Sequence, residues 1–155
     1  MKTQTETLAF LTNRYPSVTF KPGDTFYWSP SDITVYYEAG NSEPQGIWAL
    51  LHETGHAILE HEQYYADIEL VQMEMQAWEK AKLIANDSQL DMVISEDHIQ
   101  DCLDSYRDWL HKRSLCPDCS LSGIQIKEST YSCIFCYKKW KVTKDRFCRP
   151  YRKSL

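Results

Sequence analysis

Apolar positions recur along this chain with helical and with strand-like periods. Leu8, Phe10 and Leu11 give a modest stripe that predicts a short helix over residues 3–13, closed by Pro16. Three runs dense in β-branched and aromatic residues follow: 18–20, 25–28 and 33–37. Pro, Gly, Ser and Asp separate them, so they predict a short antiparallel sheet. Ser42 with Gln45 three residues on reads as a capping box, and Pro44 sits in the first turn. A helix is therefore expected to run through Ile47, Trp48, Ala49, Leu50 and Leu51 to about His61. A second long helix is expected over about residues 66–85, ended by Asn86-Asp87-Ser88. A third starts after a Ser95 cap and spaces Ile99, Cys102, Leu103, Tyr106 and Leu110 by three or four. From Leu115 onward, short strands and paired cysteines replace helical periodicity. The expected class is α+β, with a body over residues 1–112 and a cysteine-rich module with a basic tail over residues 113–155.

Charge sharpens that division. Residues 1–111 carry six Lys/Arg against 19 Asp/Glu, a net of −13, whereas residues 112–155 carry 11 against three, a net of +8. An acidic body with a basic tail points to an anionic partner for the tail, or to the tail docking on the body itself. The first residues are polar, with no apolar signal region, and no run approaches membrane-spanning length. A cytoplasmic protein with no membrane partner is expected, in which six cysteines read as metal ligands rather than disulfides.

The chemistry lies on the helix after the sheet. His52-Glu53-Thr54-Gly55-His56 places two imidazoles one helical turn apart on one face, where they can share an ion. Glu53, next to the first ligand, is placed to act as general base toward a zinc-bound water whose pKa the metal lowers toward neutrality. Gly55 stands where the helix must pack closely. A catalytic zinc needs a third protein ligand. Leu59 and Glu62 occupy the positions where a metzincin would carry Gly and His. On the next helix, Asp67, Leu70, Val71, Glu74, Ala77, Trp78, Ala81 and Ala85 share a face. Glu74 lies in the middle of that apolar stripe, where a carboxylate is costly unless it binds metal or pairs with a cation. His52, His56 and Glu74 form the expected ligand set. Asp67 is a candidate to orient a ligand histidine, Glu60 and His61 read as polar helix-end residues, and Glu69 and Gln76 fall on the solvated side. The residue that stabilises the oxyanion is open among Tyr37, Tyr64 and Tyr65.

His52-Glu53-Thr54-Gly55-His56, the following Ala57-Ile58-Leu59, His61, and the later Glu74-Met75-Gln76-Ala77-Trp78 resemble the ImmA/IrrE family of compact gluzincin peptidases over roughly residues 15–86. The resemblance implies a zincin-like metallopeptidase core and a regulatory, often DNA-bound, protein as substrate. That family commonly has Glu immediately before the Ala of the second helix, where this chain has Gln76. Helix facing selects Glu74 instead.

Cys116-Pro117-Asp118-Cys119 and Cys133-Ile134-Phe135-Cys136 are two CxxC knuckles, the pattern of a closed four-thiolate zinc ribbon. They lack the usual glycine after the second cysteine, having Ser120 and Tyr137 there. Cys102 reads as a buried packing residue and Cys148 as a packing residue or reactive thiol. Lys138, Lys139, Trp140, Lys141 and Arg146 interleave charge with aromatics in a way suited to nucleic acid or another partner. Two zincs per chain, one catalytic and one structural, are expected, with protein hydrolysis as the leading function. The competing reading is a non-catalytic zinc-ribbon adaptor that binds protein or nucleic acid.

Overall fold

The computed structural model describes residues 2–144 and 152–155. The class is α+β: four helices, a three-stranded sheet and a four-stranded sheet. No described helix is long and apolar enough to cross a membrane. The chain divides into two units, one of Met1–Glu62 with Met73–Ile99, the other of Gln63–Gln72 with Gln100–Leu155.

In the first unit, helix α1 (Gln4–Arg14) starts at a capping box. The Thr3 hydroxyl accepts from the Glu6 N–H, and the Glu6 carboxylate accepts from the Thr3 N–H. Buried Gln4 then bridges two backbone groups at the end of the sheet, donating to the Glu38 carbonyl and accepting from the Gly40 N–H. Strands β1 (Thr19–Gly23), β2 (Tyr27–Ser29) and β3 (Thr34–Glu38) pair in the order β1-β3-β2. The β2–β3 pair is antiparallel, as expected, while β1 runs parallel to β3. The sheet is therefore mixed, and β3 is its central strand.

Helix α2 (Pro44–Ile58) packs on β2 and β3. Pro44 takes the first helical position, where its missing N–H costs nothing. The capping box expected at Ser42 does not form: Glu43 is the N-cap residue, its side chain caps nothing, and its N–H bonds the Asn41 side chain. The helix also stops earlier than expected. Glu60 adopts φ +53°, its N–H bonds the Ala57 carbonyl, and the His61 N–H bonds the His56 carbonyl. This is a Schellman turn with glutamate at the position that glycine usually takes. Helix α3 spans Asp67–Ala85 and helix α4 Glu96–Ser114, the latter with the Ser95 hydroxyl accepting from the His98 N–H as foreseen. The α3 stripe is buried at Leu70, Glu74, Ala77, Trp78, Ala81 and Ala85.

In the second unit, strands β4 (Ile124–Lys127), β5 (Thr130–Ser132), β6 (Lys139–Val142) and β7 (Arg152–Ser154) form an antiparallel sheet in sequence order. Cys116, Tyr131, Cys133, Trp140 and Val142 make its small core. Leu70, Trp109 and Leu110 form a second cluster, with Tyr64, Val71 and Tyr106 packed against it. Arg113, only 2% exposed, donates to Asp67 at 2.5 Å and to the Thr143 carbonyl at 2.8 Å, and its guanidinium lies 4.3 Å from the centre of the Trp109 ring. Tyr131 donates to the other Asp67 oxygen. Asp67 is thus committed to Arg113 and Tyr131 and is not the partner of a ligand histidine.

Candidate metal centres

Histidines four apart on α2 meet a carboxylate from α3. His52 Nε2 lies 3.1 Å from His56 Nε2 and 3.0 Å from one Glu74 oxygen, and His56 Nε2 lies 3.5 Å from the other. All three residues are buried. What lets the helices approach is Gly55. A Cβ there would stand 2.5 Å from the backbone carbonyl of Ala77, so only hydrogen fits between α2 and α3 at the turn that carries the site.

The donor set fits a small divalent cation. Tetrahedral zinc with bonds near 2.0–2.1 Å separates its nitrogen and oxygen ligands by about 3.3 Å, close to the spacings found. Electrostatics agree. Burial pushes the Glu74 carboxyl up, yet hydrogen bonds from His52 and His56 outweigh it and hold it at about 2. For His56, burial favours the neutral ring, but the Glu74 hydrogen bond and the charges of Glu53 and Glu74 raise its pKa above the ordinary value. Positive charge is favoured where these groups converge.

The two histidines are held differently. His56 Nδ1 lies 2.8 Å from His61 Nδ1, and His61 Nε2 lies 3.3 Å from the side-chain carbonyl Oε1 of Gln76. A carbonyl only accepts, so neutral His61 carries its proton on Nε2 and offers a bare Nδ1. His56 must then donate from Nδ1, which turns its Nε2 toward His52 and Glu74. Burial and the neighbouring His56 charge keep the His61 pKa below the ordinary value, consistent with that neutral form. His52 has no such prop: its Nδ1 is buried with no hydrogen-bond partner among the described residues. Packing orients it instead, against the Trp78 ring at 4.2 Å between centroids.

Glu53 is half-buried, and the Trp28 backbone N–H on β2 donates to its carboxylate at 2.8 Å. The Trp28 indole donates to the His61 carbonyl at 2.7 Å. One residue of the sheet therefore grips both Glu53 and the turn that returns His61. The sequence reading missed both contacts. A backbone donor leaves no residue-type signal, and the Schellman turn lacks its glycine.

In the second unit Cys116, Cys119, Cys133 and Cys136 converge, with Sγ–Sγ separations of 3.5, 3.5 and 3.7 Å. Four thiolates bonded at about 2.3 Å to tetrahedral zinc stand about 3.8 Å apart, so this set also fits. Its knuckles repeat one geometry. The Cys116 and Cys133 N–H groups reach the Leu121 and Lys138 carbonyls, and the Ser120 and Tyr137 N–H groups bond back to the Cys116 and Cys133 carbonyls. Ser120 and Tyr137 both adopt φ +61°. Backbone N–H groups of Cys136 and Phe135 bring the Cys133 thiol down to about 7 against the effect of burial. The Cys119 thiol is held at about 12: a hydrogen bond from Leu121 lowers it, but burial and the three neighbouring sulfurs raise it more.

The remaining sequence candidates separate. Trp140 is fully buried, stacked on Tyr131, and its indole donates to the Arg113 carbonyl, so it cannot stack on a base. Alternation along β6 explains this: Lys139 and Lys141 face solvent while Trp140 and Val142 face the core. Lys138 pairs with Asp118 at 3.4 Å. Tyr64 donates its hydroxyl to the Lys144 carbonyl, Tyr65 is exposed and Tyr37 half-buried. Cys102 is half-buried, while Arg146 and Cys148 lie outside the described residues. Against protein-family models, curated proteins and solved structures alike, the chain has no match.

Proposed function

We propose that this protein is a zinc-dependent peptidase of the gluzincin type, with a second, structural zinc in a four-cysteine ribbon. The observation that carries the reading is the convergence of His52 Nε2, His56 Nε2 and the Glu74 carboxylate beside a Glu53 carboxylate pinned by a backbone N–H. A zinc ion held there would supply a water acidic enough to ionise near neutrality and a Lewis acid for the scissile carbonyl. Glu53 would be the residue to accept a proton from such a water and return it to the leaving amine. The Trp28 N–H keeps the carboxylate oriented.

Strand β3 lies inside its sheet and offers no free edge to a substrate. Strand β2 is an edge, so an extended protein segment would lie along that side, next to the Trp28 N–H that Glu53 already holds. A cleft of about 270 Å³, lined by Trp28, Pro30, Ile33 and Ala57 among others, would receive a side chain there. The likeness to ImmA/IrrE peptidases supports a regulatory protein as the substrate.

Metal analysis by mass spectrometry on wild type and His52→Ala tests the reading. Two zincs per chain falling to one supports it, and Glu53→Gln should then keep both metals while losing hydrolysis of a denatured protein substrate. One zinc in both proteins would remove the peptidase reading and favour a ribbon adaptor.

A further inference from the structure

The ribbon sheet carries a like-charge row in register. Lys127 on β4 is opposite Thr130 on β5, Thr130 is opposite Lys141 on β6, and Lys141 is opposite Lys153 on β7. Directly opposed residues project to the same face, and Lys139, two positions from Lys141, projects there as well. All four lysines are exposed. The two described acidic residues in 112–155 are already engaged elsewhere, Asp118 with Lys138 and Glu128 with Lys144. Among the described residues, no carboxylate pairs with Lys127, Lys139, Lys141 or Lys153. Lys141 and Lys153 are directly opposed, with Thr130 between Lys141 and Lys127, and like charges opposed across strands destabilise a sheet, so that pair is maintained at a cost.

A second observation lies next to that face in the chain. Tyr137 is 80% exposed and held at φ +61°, where a bulky residue is strained and glycine would not be. Phe135, in the same knuckle, is 71% exposed. Two exposed aromatics just before β6 in the chain, together with the exposed lysines of the sheet, supply the two elements of a single-strand platform, base stacking and phosphate attraction. Stacking needs unpaired bases, which decides against duplex.

We infer that the ribbon binds single-stranded nucleic acid without sequence preference, through Lys127, Lys139, Lys141 and Lys153 for phosphates and Phe135 and Tyr137 for bases. This surface is independent of the peptidase reading.

Fluorescence anisotropy on the full chain, using a labelled thymidine oligonucleotide and a duplex of equal length at several salt concentrations, tests it. The single strand should bind more tightly than the duplex, with affinity falling as salt rises. Lys127→Gln/Lys141→Gln/Lys153→Gln should weaken binding at least tenfold and flatten the logarithmic salt slope by about 2, since each lost phosphate contact on a single strand removes roughly 0.7. Phe135→Ala/Tyr137→Ala, which removes two stacking rings, should weaken it by roughly thirtyfold or more while leaving the salt slope unchanged. Zinc content and thermal melting of each variant confirm that the ribbon remains folded. Absent binding at low salt, tighter binding of the duplex, or folded variants that bind like wild type would each overturn the assignment.

Discussion

The difference between the two candidate ligand histidines is the most specific residue-scale feature. His56 is oriented by a hydrogen-bonded chain through His61 to Gln76, whereas His52 is oriented by its contact with Trp78. Removing an outer partner of a ligating histidine commonly costs 10- to 100-fold in metal affinity. His61→Ala should therefore weaken zinc at the His52/His56/Glu74 site by about that range, read by chelator competition, without changing ribbon zinc. Gln76→Ala should do less, because His61 Nδ1 would remain to accept. Unchanged affinity in His61→Ala would mean that packing alone orients His56. Ser120 gives an opposite kind of test. It sits at φ +61° in the first knuckle, where an L-residue is disfavoured by about 1–2 kcal/mol. Ser120→Gly should stabilise the ribbon by about 0.5–1 kcal/mol after the greater freedom of glycine in the unfolded chain is counted, a rise visible in thermal melting. The missing glycines were evident in the sequence, and the structure shows that the turns form regardless.

At the scale of elements, what was legible followed burial and spacing. Glu74 could be chosen because a carboxylate amid Leu70, Ala77, Trp78 and Ala81 has to be compensated, and helix geometry fixes which way it faces. The four cysteines were readable because ligand spacing is written directly in sequence. The end of α2 was not, because a left-handed glutamate carries no compositional mark. Nor was the parallel direction of β1, which depends on long-range pairing rather than on local pattern. Trp140 was misjudged for a related reason: in a charged stretch the alternation Lys139-Trp140-Lys141-Val142 marks a half-buried strand, and its aromatic is on the inner side. The close approach of α2 and α3 yields the element-scale prediction. Gly55→Ala gains up to about 1 kcal/mol of helix propensity but drives a Cβ against the Ala77 carbonyl, a backbone group that cannot swing away. The helices must separate, and the net should be a loss of about 1–3 kcal/mol with weaker zinc binding at the histidines, because Glu74 is carried away with α3. Thermal melting with metal competition checks both, and an unchanged affinity would show that Glu74 follows α2 despite the clash.

On the scale of the whole molecule, each unit has its own donor cluster, and the clusters should fail separately. Cys133→Ser ought to remove one zinc and leave the histidine site loaded. His52→Ala should do the reverse. The second unit has a further anchor that no metal supplies. Arg113 is almost wholly buried, its Nε has no partner among the described residues, and Asp67 is the only described carboxylate paired with it. Burial opposes the guanidinium charge, and the Asp67 hydrogen bond and charge more than restore it, so that Arg113 holds its proton more firmly than usual. Breaking a buried pair from one side leaves the other charge uncompensated, at about 3–5 kcal/mol. Asp67→Asn keeps the shape and loses the charge. Because Asp67 retains some exposure, the expected cost is toward the lower end, about 3 kcal/mol, in urea unfolding followed by tryptophan fluorescence. Zinc per folded chain should stay at two. If Asp67→Asn instead lost the histidine-bound metal while the fold survived, Asp67 would have to act on that site after all. A loss of stability with both zincs retained would place its role in holding Arg113 and Tyr131, where its two carboxylate oxygens are already spent.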